Sequence, residues 1–145
     1  LNLCDEIIFV HNTFSSDDDI RYAIANTKKC WWCLCPNANL YIENTLPEIE
    51  RITKATENIL IGTDSLASNN QLSILSELKI ITKKFPQISL HQLLTWSTIN
   101  GAKALKMDSE LGTLEKGKKP GLVLIENVDL QNQKITESSQ SKRVA

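Results

Sequence analysis

Three short apolar runs, at residues 6–11, 30–35 and 59–62, are each followed by a polar, turn-forming stretch, and that pattern leaves this chain few folds. A β-branched or aromatic run without polar alternation is what a strand buried on both faces requires. Strands joined through helices must run parallel, because the crossover returns the chain to the same end of the sheet. Parallel sheets gather their chemistry at the C-terminal ends of the strands, in loops that can vary without disturbing the core. His11, the Cys35-Pro36-Asn37 turn and Asp64 each fall at that end of a separate run.

The helical signals between the runs have recognisable starts. Asp17-Asp18-Asp19, behind Ser15 and Ser16, places carboxylates where free N–H groups begin a helix that runs to about residue 25. Pro36 and Asn37-Ala38-Asn39 read as a loop that stops the second strand. Pro47 then opens a helix over 48–55, since proline suits the first helical position. A polar loop at 65–70 leads to helices over 72–84, ended by Pro86, and over 90–105, capped by Ser89. Beyond them, 111–124 carries Gly112, Gly117, Pro120 and Gly121 among short extended runs. Residues 128–135 read as an edge strand, and 137–145 as a polar, loosely held end. The expected fold class is α/β, with residues 1–108 in one part and 109–145 in a small β segment.

With 145 residues, the chain can bury a core. Its 16 Lys+Arg against 17 Asp+Glu leave a net charge of -1, which gives no field to draw nucleic acid or an anionic membrane. A small molecule or a protein is the expected partner. No apolar run reaches the ~20 residues of a membrane-spanning helix, and no signal peptide opens the chain. The chain begins at Leu1 without Met and enters a strand almost at once, which reads as an excerpt of a longer protein. Cys30-Trp31-Trp32-Cys33 has CxxC spacing, but structural zinc needs a second ligand pair and Cys4 is isolated. In a strand Cys33 and Cys35 share one face and Cys30 takes the other, so buried, reduced thiols of a cytoplasmic protein are expected.

Few residues can carry chemistry. Asp64 ends an apolar run before a polar loop, where a carboxylate either binds a divalent cation, acts as a base, or caps the next turn. His11 is a metal ligand, a substrate contact or a satisfied core imidazole. His91, near a helix start, is a surface or packing residue. Trp31 and Trp32 face opposite sides of one strand, both in the core. Glu77 reads as part of a solvated helix face, with a loop-clamping role as the alternative. No phosphate-cradling glycine loop or Ser-His-Asp arrangement is present.

In order along the chain stand Val10-His11, then Cys35-Pro36-Asn37-Ala38-Asn39, then Ile61-Gly62-Thr63-Asp64-Ser65-Leu66-Ala67-Ser68-Asn69-Asn70 with Glu77 downstream. This series resembles the metal-dependent amidohydrolase superfamily, in the branch of chlorohydrolases, guanine deaminases and S-adenosylhomocysteine deaminases. Asn100-Gly101-Ala102 with Ala104-Leu105, and Leu111-Gly112-Thr113-Leu114-Glu115 with Gly117-Lys118, are similar to that family's last helix and its return to a small β domain. The resemblance covers about residues 6–135. It implies the C-terminal part of a (β/α)8 TIM-type barrel, strands six to eight, and one divalent metal, zinc or iron, in the intact enzyme. Asp64 would bind the metal and accept a proton from the hydrolytic water, and His11 would contact substrate or that water. Asn39, Ser68 and Asn69 would shape the loops around the site. The implied reaction is hydrolytic deamination, or a related C–N or C–Cl hydrolysis, of an amino-substituted heterocycle.

The chain departs from the family's pattern in what it lacks. Its histidines are His11 and His91 alone, so the His-x-His pair of the first strand and the fifth-strand His are missing. Leu34-Cys35 stands where relatives often carry His, and Lys118-Lys119-Pro120-Gly121 replaces the usual Lys-x-Ala-Asp. A barrel of this type takes ~250 residues. This piece alone is therefore expected to be inactive, with metal absent or weakly bound. Its exposed outer strands would favour a homo-oligomer or association with the missing N-terminal half. The alternative is a non-catalytic oligomerisation or binding module derived from the fold.

Overall fold

The computed structural model describes residues 5–145; Cys4 lies outside the described residues. The chain falls into two compact units, Leu1–Leu72 and Ser73–Ala145.

The first unit is built on a parallel three-stranded sheet. Strands β1 (Glu6–Val10), β2 (Lys29–Leu34) and β3 (Ile59–Ile61) lie in that order, with Ile8 opposite Trp31 and Cys33 opposite Leu60. The crossovers carry helices α1 (Asp17–Asn26), α2 (Pro36–Glu43) and α3 (Ile49–Ala55), with α1 packed on α3 and β2. Ile20, Trp31, Trp32, Leu34, Ile49, Ile52 and Ile59 form the buried centre. Cys30, Cys33 and Cys35 are buried thiols outside any disulfide among the described residues.

The apolar pattern locates β1, β2 and β3, yet β1 is not buried on both faces. Ile8 is 39% and Val10 49% exposed, because β1 pairs on one edge only and its Glu6-Ile8-Val10 face has no cover. The central strand β2, paired on both edges, is buried almost throughout. Pro36 does more than end a strand, while the helix expected after Pro47 is present as α3. Residues 36–39 are not a loop: Pro36 is the first residue of α2, where its missing N–H costs nothing. Pro47 instead precedes Glu48, the N-cap of α3.

Helix α1 begins with a capping box. The Ser16 hydroxyl accepts from the Asp19 N–H at 3.2 Å, and the Asp19 carboxylate accepts from the Ser16 N–H at 2.8 Å. Removing the cap hydroxyl in Ser16→Ala should cost about 1 kcal/mol of stability, read by urea unfolding. The Ser16 hydroxyl and N–H also hold the Asp19 carboxyl below its usual pKa. A depressed folded pKa stabilises the fold above the unfolded value of about 3.9, and the gain is lost as pH falls through the folded value. The gap between wild type and Ser16→Ala should therefore be full near neutrality and shrink in acid; a gap that widens there would contradict this.

In the second unit, α4 (Ile74–Lys84), α5 (Leu90–Ser97) and α6 (Ile99–Ala104) precede an antiparallel pair, β4 (Val123–Glu126) and β5 (Gln140–Arg143). Leu75, Leu78, Ile81, Leu93, Trp96 and Ile135 are buried. The expected single helix over 90–105 is two, broken at Thr98, whose φ of -130° and ψ of -90° leave the helical region. The expected strand over 128–135 is a turn closed by one Asp129–Lys134 bridge. The polar end, read as loose, supplies β5. Glu77, read as solvated, is fully buried. No helix among the described residues is long and apolar enough to cross a membrane.

Candidate active site

Parallel pairing brings the C-terminal ends of β1, β2 and β3 to one edge of the sheet. The ladder runs one residue past each outer strand: the His11 N–H donates to the Cys33 carbonyl at 3.0 Å, and the Gly62 N–H to the Leu34 carbonyl at 2.9 Å. His11 and Asp64 thereby emerge side by side, with His11 Nε2 3.7 Å from Asp64 Oδ2. Their side chains are 35% and 31% exposed, so a ligand can reach both, and the pair contributes little to stability by itself.

Glycine at 62 is set by the thiols beneath it. A Cβ there would lie 2.8 Å from Cys33 Sγ and 3.2 Å from Cys35 Sγ, which confirms that those two cysteines share a face. Gly62→Ala should destabilise the chain by about 1–3 kcal/mol, the usual range for overpacking. Cys33→Ala should recover part of that loss in thermal unfolding; no recovery would place the clash elsewhere.

Asp64 follows in a left-handed conformation, φ 55°, which Asp tolerates better than most residues. The loop after it is folded onto itself. Buried Ser68 donates its hydroxyl to Asp64 Oδ2 at 2.5 Å, and buried Asn69 donates Nδ2 to the Thr63 carbonyl at 2.8 Å. The Ser68 hydroxyl holds the Asp64 carboxyl below its usual pKa against the opposing effect of burial; the Ser65 N–H and the His11 charge act in the same direction as Ser68. An ionised, oriented carboxylate results.

The turn bearing His11 is strained. His11 has φ 70° and Asn12 φ 60°. The Asn12 N–H donates to the Val10 carbonyl at 3.0 Å, closing a three-residue γ-turn centred on His11. Positive φ at such residues costs on the order of 1–3 kcal/mol and concentrates at functional sites. Asn39, 1% exposed on α2, donates Nδ2 to Thr13 Oγ1 at 2.6 Å and, at 3.4 Å, to Glu43 Oε2.

The structure thus joins His11, Asp64 and Ser68 directly, and sets Asn69 in the Asp64 loop and Asn39 against the His11 loop. His91 is exposed on α5. Thr13 escaped the sequence reading, because a threonine in a polar loop carries no local signal and its partner is 26 residues away.

A family model for the "Amidohydrolase family" matches residues 2–145. The chain belongs to this family. The amidohydrolase chain is 36% identical over 111 residues to a 5-methylthioadenosine/S-adenosylhomocysteine deaminase of Moorella thermoacetica, covering 72% of this chain and 26% of that protein. Among solved structures it is similar to a zinc-bound adenosine deaminase from Xanthomonas campestris, with TM-score 0.70 and 28% identity over 87% of this chain and 30% of that one. It is also similar to the aminofutalosine deaminase of Helicobacter pylori, with TM-score 0.70 and 29% identity over 79% of this chain and 29% of that one. The amidohydrolase chain therefore spans under a third of the length of these relatives.

An ionised carboxylate oxygen and an imidazole nitrogen are suitable donors for a zinc-type ion. Among the described residues, however, no three His, Cys, Asp or Glu side chains are grouped to hold one.

Proposed function

We propose that this chain is the C-terminal part of a metal-dependent deaminase that hydrolyses the exocyclic amino group from an adenine-type nucleoside. The observation that carries the reading is the meeting of His11 and Asp64, 3.7 Å apart at the C-terminal edge of a parallel sheet. The relatives' names support the substrate class, and the Helicobacter pylori aminofutalosine deaminase has been solved with methylthio-coformycin bound. In this reading β1, β2 and β3 are strands six to eight of a (β/α)8 barrel, residues 1–108 belong to it, and 109–145 belong to a small β domain. Compactness divides the chain elsewhere, at Leu72, as expected of a barrel portion without a closed core of its own.

Asp64 is the residue of this chain that would hold the metal, with the remaining ligands supplied from outside it. A divalent cation held there, zinc or iron, would lower the pKa of a water toward neutrality. Asp64 would take up one proton as water adds to the amino-bearing carbon, and would return it to the amino nitrogen, which leaves as ammonia when the C–N bond breaks. The Ser68 hydrogen bond fixes the carboxylate's orientation, which lowers the reorganisation needed at that moment. His11, facing Asp64 and open to solvent, contacts the substrate or the attacking water.

The uncovered Ile8-Val10 face of β1 suits association, which we assign to the N-terminal half of the same enzyme. The test is ammonia release from 5′-methylthioadenosine by the full-length protein carrying this segment, with metal content by elemental analysis. Turnover with about one divalent ion per chain supports the reading. A metal-free full-length protein without turnover would favour a binding module instead.

A further inference from the structure

The γ-turn at His11 is not explained by its own residues. Two consecutive positive φ angles, at His11 and Asn12, sit at the end of a strand whose Glu6-Ile8-Val10 face is uncovered. Backbone strain of this kind persists only where the surroundings over-determine it. The Asn12 side chain donates Nδ2 to the Phe9 carbonyl at 3.0 Å, and the Ser15 N–H donates to the Asn12 carbonyl at 3.3 Å. Both bonds are local to the loop. Two side chains from other elements reach this loop: the Arg51 guanidinium on α3 donates to the Ser15 carbonyl at 3.1 Å, and Asn39 Nδ2 donates to Thr13 Oγ1, next to the turn, at 2.6 Å. Asn39 can anchor it because it is 1% exposed on α2, the helix that leaves the end of the central strand β2.

We propose that Asn39 and Thr13 form a clamp that holds the strained turn and so aims the His11 imidazole at Asp64. Both are positioning residues that act through His11, a role that rests on the reading of His11 as the substrate or water contact. The clamp joins the loop after the edge strand β1 to the buried face of α2 through one side-chain bond. Without it the turn is free to relax to negative φ, which carries the imidazole away from Asp64.

The variants that isolate the clamp are Thr13→Val, which keeps the shape and deletes the acceptor, and Thr13→Ser, which restores a hydroxyl. In 15N-labelled chain, a strong intraresidue amide-to-α-proton Overhauser effect at His11 and Asn12 reports positive φ. It should be present in wild type and Thr13→Ser and weakened in Thr13→Val, with the β1–β2 amides still protected from exchange. Its absence from wild type, or its full persistence in Thr13→Val, would overturn the proposal. In the full-length hydrolase, Thr13→Val should lower kcat/KM by on the order of tenfold to a hundredfold, mostly through kcat, with Thr13→Ser recovering most of it. A turn that relaxes with kinetics unchanged would uphold the clamp and overturn the role given to His11, so the two readings fail separately.

Discussion

Under the role proposed for Asp64, Asp64→Asn should lower kcat/KM for ammonia release by the full-length protein by at least about 10³-fold, because a neutral amide cannot stand in for a charged metal ligand and proton acceptor. The substitution is nearly isosteric, and its fold is expected to survive for two specific reasons. Asn accepts the left-handed φ of 55° found at position 64 as readily as Asp does. The Ser68 hydroxyl, 2.5 Å from Oδ2, can donate equally to an amide oxygen. Ammonia release reads the activity, and circular dichroism with thermal unfolding reads the fold. Ser68→Ala should lose less, since it loosens the carboxylate without removing it. Retention of activity within about tenfold in Asp64→Asn would remove Asp64 from the chemistry.

Trp32→Ala should cost about 3–5 kcal/mol, the range for deleting a large buried aromatic side chain. Trp32 is 2% exposed on the central strand, and its ring lies 5.1 Å from that of Phe9, centre to centre. Trp32→Phe should cost much less than this. The buried Trp32 indole N–H has no acceptor among the described residues, so phenylalanine deletes an unsatisfied donor together with some volume. Urea unfolding of the two variants separates ring packing from the indole N–H. Equal losses would show that the N–H makes a stabilising bond.

Some of this was legible in the residues because it is local. Apolar runs of 4–6 residues bounded by turn formers located all three parallel strands. Ser16 with Asp19, and Ser89 with Gln92, formed the capping boxes their spacing permits. The ordered motif ending in residues 61–70 pointed to the family, which the matched family model then showed. Proline misled, because the same residue stops a strand and starts a helix. Pro36 does both at once, where its sequence context showed only the strand stop. The tail misled as well, since β5 is fully exposed and carries no apolar pattern to mark it.

The sequence by itself determined the strand–helix alternation, hence parallel strands, hence which residues stand at their C-terminal ends. That follows from hydrophobic periodicity and crossover geometry, which depend on near neighbours along the chain. The tertiary structure decided what those residues meet. The 3.7 Å approach of His11 to Asp64 and the Asn39–Thr13 bond both depend on the register between strands, set by backbone pairing across many residues, whereas the Ser68–Asp64 bond forms within one loop, four residues apart. Tertiary packing also buried Glu77, which helical spacing had placed in water. Distance through space is fixed by the packed sheet, and no spacing along the chain encodes it.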